Sequence, residues 1–142
     1  MDKNKASYKL KGLPPIFYLN LDEQPERKEC IENQFEYWGI EKYTRISAYD
    51  GRDGRDLGDI LKGRYPDSMS SSEVGCTTSH LKAVTEFLKT DSPCALIMED
   101  DCDISTVSHW RFTWKDFYAK VPYDYDVIQL AIINPASVYL KM

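Results

Sequence analysis

The chain has no C-x-x-C pair, only two histidines, no apolar run longer than Cys94–Met98 and no excess of basic residues. Each absence closes a class. Four cysteines (Cys30, Cys76, Cys94, Cys102) without zinc-finger spacing suggest neither a structural zinc knot nor a secreted disulfide scaffold, so the thiols are expected to be reduced. A run as short as CALIM cannot cross a bilayer, and the opening MDKNKASYKLKG lacks the apolar core of a signal peptide. The expectation is a cytoplasmic chain with no transmembrane segment. A net charge of −5, from 18 basic and 23 acidic residues, argues against a nucleic-acid partner, because such binding rests on neutralising phosphates.

What is present is a globular composition. The 142 residues are 42% apolar and 13% aromatic, which suits one domain that buries roughly two-thirds of its unfolded surface. Residues 1–13 are locally basic and are expected to be a flexible terminus, leaving 14–142 as a single domain.

Along the chain, apolar runs alternate with helical periodicity. PPIFYLNLD (14–22) reads as a buried strand. A helix follows, with Pro25 in its first turn, Ile31, Phe35 and Trp38 at helical spacing and Gly39 to close it. KYTRISAY (42–49) is a weaker strand, and 50–69 is a loop in which glycines alternate with charges. Ser70 and Glu73 form a capping box that opens a helix to about Lys89, with an apolar stripe of Val74, Leu81, Val84 and Leu88. CALIME (94–99) is a strand, 109–120 a third helix and YDVIQLAII (125–133) a fourth strand. Strands alternating with helices predict an α/β fold, a mostly parallel sheet with helices on its faces. Ligands of such sheets bind outside the carboxyl ends of the strands, the edge where LNLD and MEDDCD begin.

Residues 95–105, ALIMEDDCDIS, run a strand into four carboxylates. Neighbouring like charges repel by about 1 kcal/mol at 4 Å even in water. Three ligand readings compete with a simple exposed acidic turn. In the first, Glu99, Asp101 and Asp103 hold Mg²⁺ or Mn²⁺ against a diphosphate, because alternate residues leaving a strand point to one side. In the second, Asp101-Cys102-Asp103-Ile104-Ser105 is the D-x-D-x-[ST] start of a haloacid-dehalogenase-type phosphatase, although Glu99 and Asp100 intervene after the strand and the later Lys and acids are badly placed. A calcium loop is the third, but it lacks the central Gly and distal Glu of an EF-hand.

The cluster has company. Asn20, Leu21, Asp22 and Arg27 form N-L-D-x-x-x-x-R. Ala48, Asp50 and Gly51 form A-x-D-G, Gly75, Cys76, Ser79 and His80 form G-C-x-x-S-H, and Glu99, Asp100 and Asp101 form E-D-D. In this order and spacing the chain, from about residue 15 to 133, resembles family 25 glycosyltransferases, the enzymes of lipopolysaccharide galactosyl transfer and collagen hydroxylysine galactosylation. The resemblance implies a GT-A-like, Rossmann-like fold and inverting transfer of a hexose, galactose first, from UDP-galactose or UDP-glucose to a glycan or protein hydroxyl. Mn²⁺ or Mg²⁺ would be held by Asp101 with Glu99 or Asp103. Asn20, Asp22, Arg27, Asp50, Gly75, His80 and Asp100 would line the donor site.

The same family pattern implies an acceptor half and a catalytic base beyond the metal strand, and here only about forty residues follow Asp101. The chain is therefore expected to be truncated, with an incomplete acceptor half and an edge that a partner chain or second copy could cover. No base is assigned. The alternative function is a non-catalytic nucleotide-sugar-binding or assembly module.

Overall fold

The computed structural model describes residues 5–54 and 66–131. Its centre is a three-stranded parallel sheet in the order β2-β1-β3, formed by β1 (Ile16–Asn20), β2 (Tyr43–Ser47) and β3 (Leu96–Glu99). Ile16 pairs with Tyr43 on one side and Leu96 on the other. Between the strands run α1 (Pro25–Trp38) and α2 (Ser71–Phe87), and a short α3 (Trp114–Tyr118) follows. This is the α/β, Rossmann-like class expected, with helices on both faces of the sheet.

The pleat explains the layering. β1 is buried at all five residues, as a central parallel strand must be. Ile16 and Tyr18 face one way, into a cluster with Ile31 and Phe35 of α1. Phe17 and Leu19 face the other way, into a cluster with Ile46 and Ala83 of α2. β3 follows the same rule, with Leu96 and Met98 on the α1 side and Ile97 on the α2 side.

Helix ends follow their sequence signals. Pro25 opens α1, and Gly39 closes it in the left-handed conformation, φ 69°. Ser70 and Glu73 form the expected capping box of α2.

Four expectations need correction. The apolar stripe of α2 does not face the core: Leu81, Val84 and Leu88 are exposed, and Gly75, Thr78, Ser79 and Ala83 are buried instead. The helix lies so close to the backbone after β2 that only small side chains fit between them. The third helix is shorter than 109–120. Ile104–His109 is a 3-10 turn, and α3 begins only where Thr113 and Asp116 make a second capping box. The fourth strand is not formed at 125–131. Val127 and Leu130 are exposed and pair with no strand, while 132–133 lie outside the described residues. Finally, part of the basic terminus packs rather than frays. Ser7–Leu10 is a 3-10 turn, Leu10 joins Trp38 and Val107 in a small core, and Lys9 Nζ donates to the carbonyls of Val107, Ser108 and Trp110. Of the loop expected at 50–69, residues 55–65 fall outside the description. All four cysteines are free thiols, and among the described residues no helix is long and apolar enough to cross a membrane.

Candidate functional site

Three motifs meet at the carboxyl edge of the sheet. Asn20 ends β1 and is buried. Its Nδ2 donates to Asp100 Oδ2 at 2.7 Å and to the Gln24 carbonyl at 3.0 Å, and its Oδ1 accepts from Arg45 Nε at 2.8 Å. Asp100, also buried, takes Arg27 Nη2 on its other oxygen at 2.5 Å. A buried carboxylate needs such partners, since desolvating an unpaired charge costs far more than one hydrogen bond returns. Asn20 and Asp100, both buried, and half-exposed Arg27 thus tie β1, α1 and the turn after β3 into one network.

The remaining polar groups of this edge reach solvent. Asp22 accepts from Arg45 Nη2 at 2.6 Å and from Ser47 Oγ at 2.8 Å. These bonds, Arg45 first, hold its carboxyl below the usual range. Asp101 is 65% exposed at its side chain, with one oxygen 3.2 Å from Arg27. Asp103 accepts from the Ser105 N–H and caps the 3-10 turn, which lowers its pKa. Asp50 is gripped by Arg52, which brings it down to about 2.

The pleat sorts the acidic run. Strand geometry stops at Glu99, and Asp100 and Asp101 form a turn. Glu99 stays on the α2 side, whereas Asp100 and Asp101 both lie against Arg27 of α1. The acid-x-acid alternation expected to put Glu99 beside Asp101 therefore lapses with the strand itself. Glu99 Oε1 lies instead 3.4 Å from His80 Nε2 and 3.8 Å from Cys76 Sγ. Burial first, then the Glu99 charge, pushes the Cys76 thiol up.

Two glycines explain how α2 comes so near. A Cβ on Gly75 would stand 2.5 Å from the Gly51 nitrogen and 2.7 Å from the Tyr49 carbonyl oxygen. One on Gly51 would overlap the Ser71 carbonyl at 1.6 Å. The A-x-D-G and G-C-x-x-S-H segments thus cross backbone to backbone. Ser79 fastens them, accepting from the Tyr49 N–H at 2.8 Å and donating to the Gly75 carbonyl at 2.7 Å.

Of the residues expected at the site, Asn20, Asp22, Arg27, Asp100 and Asp101 gather on the α1 side, and Gly75, His80 and Glu99 on the α2 side. Asp50 pairs locally with Arg52, and Asp103 serves its own turn. Sequence reasoning missed Arg45, which binds both Asn20 and Asp22, and Gln34, whose side chain bridges the Cys102 carbonyl and the Ile104 N–H. Neither carries a local signal, because each acts on a segment remote from it in the chain. The convergence of Cys76 with His80 and Glu99 was missed too, although Cys76 and His80 stand four residues apart on a helix.

A parallel sheet with polar side chains gathered outside its strand ends is the arrangement in which α/β proteins bind ligands. Comparison with known proteins makes the class specific. The family profile described as "Glycosyltransferase family 25 (LPS biosynthesis protein)" matches residues 13–127, so the chain belongs to glycosyltransferase family 25. Proteins named "Glycosyltransferase 25 family member" are similar to it. The one from Drosophila melanogaster is 31% identical over 71% of this chain and 18% of its own length. The one from Drosophila pseudoobscura pseudoobscura is 30% identical over 63% and 16%. The Aedes aegypti relative is 29% identical over the same shares, 63% and 16%. The chain matches less than a fifth of the length of these relatives. No solved structure matches it significantly.

Proposed function

We propose that this chain is the donor-binding part of an inverting glycosyltransferase, which moves a hexose, galactose in the first instance, from a UDP-sugar to a hydroxyl of a glycan or protein. The observation that carries the reading is the family match over residues 13–127, which spans every motif gathered at the carboxyl edge of the sheet.

A divalent cation fits the donor set of this edge. Mg²⁺ and Mn²⁺ take oxygen ligands, keep several waters and need only one or two protein carboxylates beside substrate phosphates. Asp101 meets that need, since it is the most exposed of the edge carboxylates paired in the structure. Asp103, two residues on, would assist, whereas Glu99 turns to Cys76 and His80 of α2. When bound, the cation supplies charge to offset the negative charge growing on the leaving diphosphate.

The side chains of the edge do the rest. Asp100 holds Arg27 at the mouth of the site, where a half-exposed guanidinium can turn to a phosphate without losing its buried anchor. Asn20 fixes Asp100, and Arg45 with Ser47 fixes Asp22 in a single orientation beside the strand end, suited to accept hydrogen bonds from ribose hydroxyls. Asp50, from the segment after β2, and Gly75, from α2, would complete the lining. The acceptor hydroxyl must lose a proton as it attacks, and none of these residues is assigned as that base.

Calorimetric titration of UDP-galactose, UDP-glucose and UDP, with and without Mn²⁺, tests the proposal beside an Asp101→Ala variant. Binding that requires Mn²⁺ and is lost in the variant is the expected result. A folded chain that binds none of the three overturns it. Binding without sugar transfer or donor hydrolysis supports the alternative, a nucleotide-sugar-binding module.

A further inference from the structure

Cys76, His80 and Glu99 are, among the described residues, the one group of three metal-ligating side chains whose ligand atoms converge, all within 4.8 Å of one another. Two come from consecutive turns of one face of α2, and the third from the last residue of β3. We propose that these three side chains form a binding site for a borderline-soft transition metal, zinc by preference, distinct from the oxygen-ligand cation of the donor site.

The geometry suits that metal. Bonds of about 2.0–2.3 Å in a tetrahedron set neighbouring ligand atoms roughly 3.3–3.8 Å apart. Two of the three separations fall in that range, 3.4 Å from His80 Nε2 and 3.8 Å from Cys76 Sγ to the same Glu99 oxygen, and the third, between Cys76 and His80, is within 4.8 Å, which a small side-chain rotation closes. One sulfur, one imidazole nitrogen and one carboxylate oxygen select zinc or cobalt over Mg²⁺, which requires an oxygen shell. Three protein ligands leave the fourth position open, and His80 and Glu99 have side chains 40% and 49% exposed, so solvent or a ligand reaches it.

The close crossing of Gly51 and Gly75 gives the site a rigid frame. It fixes the depth at which α2 lies on the sheet, and hence the distance between Cys76 and Glu99. The competing account is a metal-free trio in which the thiol donates to the Glu99 carboxylate. The proposal does not rest on the glycosyltransferase reading, and its test uses no nucleotide.

The experiment titrates Co²⁺ into the reduced, metal-free chain and follows thiolate-to-cobalt charge transfer, then displaces the cobalt with Zn²⁺ against a chromophoric chelator. One equivalent should bind with a thiolate band that Zn²⁺ abolishes and excess Mg²⁺ leaves intact. Cys76→Ser should remove the band. His80→Ala should weaken zinc binding at least as much as loss of an outer-shell partner, about 10–100-fold. Cys30→Ser should change neither reading. Urea midpoints of each variant separate loss of ligand from loss of fold, and Glu99→Gln provides a third arm should either α2 variant fail to fold. Absence of the band, or a band lost in Cys30→Ser and kept in Cys76→Ser, overturns the site.

Discussion

Asn20 makes more of the edge than its size suggests. Its side chain touches the turn after β1, the turn after β3 and a guanidinium of β2. Replacing it with alanine leaves Asp100 short of a donor and Arg45 short of an acceptor. The expected cost is about 1–3 kcal/mol, the penalty for orphaning a buried polar partner, read as a lower urea midpoint at unchanged slope. A fall of a few tenths would mean that water replaces Asn20. The motif N-L-D-x-x-x-x-R marks these positions in the sequence but says nothing of who partners whom. Asp100 reads there as one of four equivalent acids, and only its burial against Asn20 and Arg27 separates it from exposed Asp101.

At the scale of elements, α2 crosses the segment after β2 backbone against backbone. Gly75→Ala sets a methyl against backbone atoms that have no rotamer to escape into. It should destabilise by about 1–3 kcal/mol, the range for overpacking a close contact, and urea denaturation beside the wild-type chain checks it. At the exposed start of the same helix, Ser70→Ala removes one half of the capping box and should cost about 1 kcal/mol. The start of α2 was legible because caps are local chemistry. Its buried face was not. Counting apolar residues selects Leu81, Val84 and Leu88, yet a helix pressed against backbone buries its smallest side chains.

For the whole molecule, pH reports on how the charges are used. Asp22, Asp50, Glu73, Asp103 and Asp116 all have pKa values lowered by hydrogen bonds in the fold. A carboxyl held below its unfolded value adds stability above the ordinary carboxylate range and loses it as pH falls through the folded value. Stability should therefore hold near neutrality and decline on acidification below that range. At the alkaline end, burial and the Glu32 hydrogen bond push the Tyr18 hydroxyl up from 10.0. Its contribution is complete below 10.0 and is lost as pH rises past that value. Urea midpoints across pH should trace both limbs, and Tyr18→Phe should flatten the alkaline one. An acid limb that is flat would show the carboxylates to be equally well served when unfolded.

Taken alone, the sequence determined what local chemistry controls. The period of each strand and helix, Pro25 and Gly39 at the ends of α1, the Ser70–Glu73 cap, the buried run Ile16–Asn20 and each motif of the family pattern depend on residues close together in the chain, and the order of the elements and motifs is itself linear. Tertiary structure decided what depends on distance across the sheet. It separated Glu99 from Asp101 by ending β3 between them, spent Asp100 on a network with Asn20 and Arg27, left 125–131 unpaired with the sheet and brought Cys76 and His80 to Glu99. Such outcomes are set by which backbones can approach each other, here at Gly51 and Gly75, and a linear pattern holds no record of that distance.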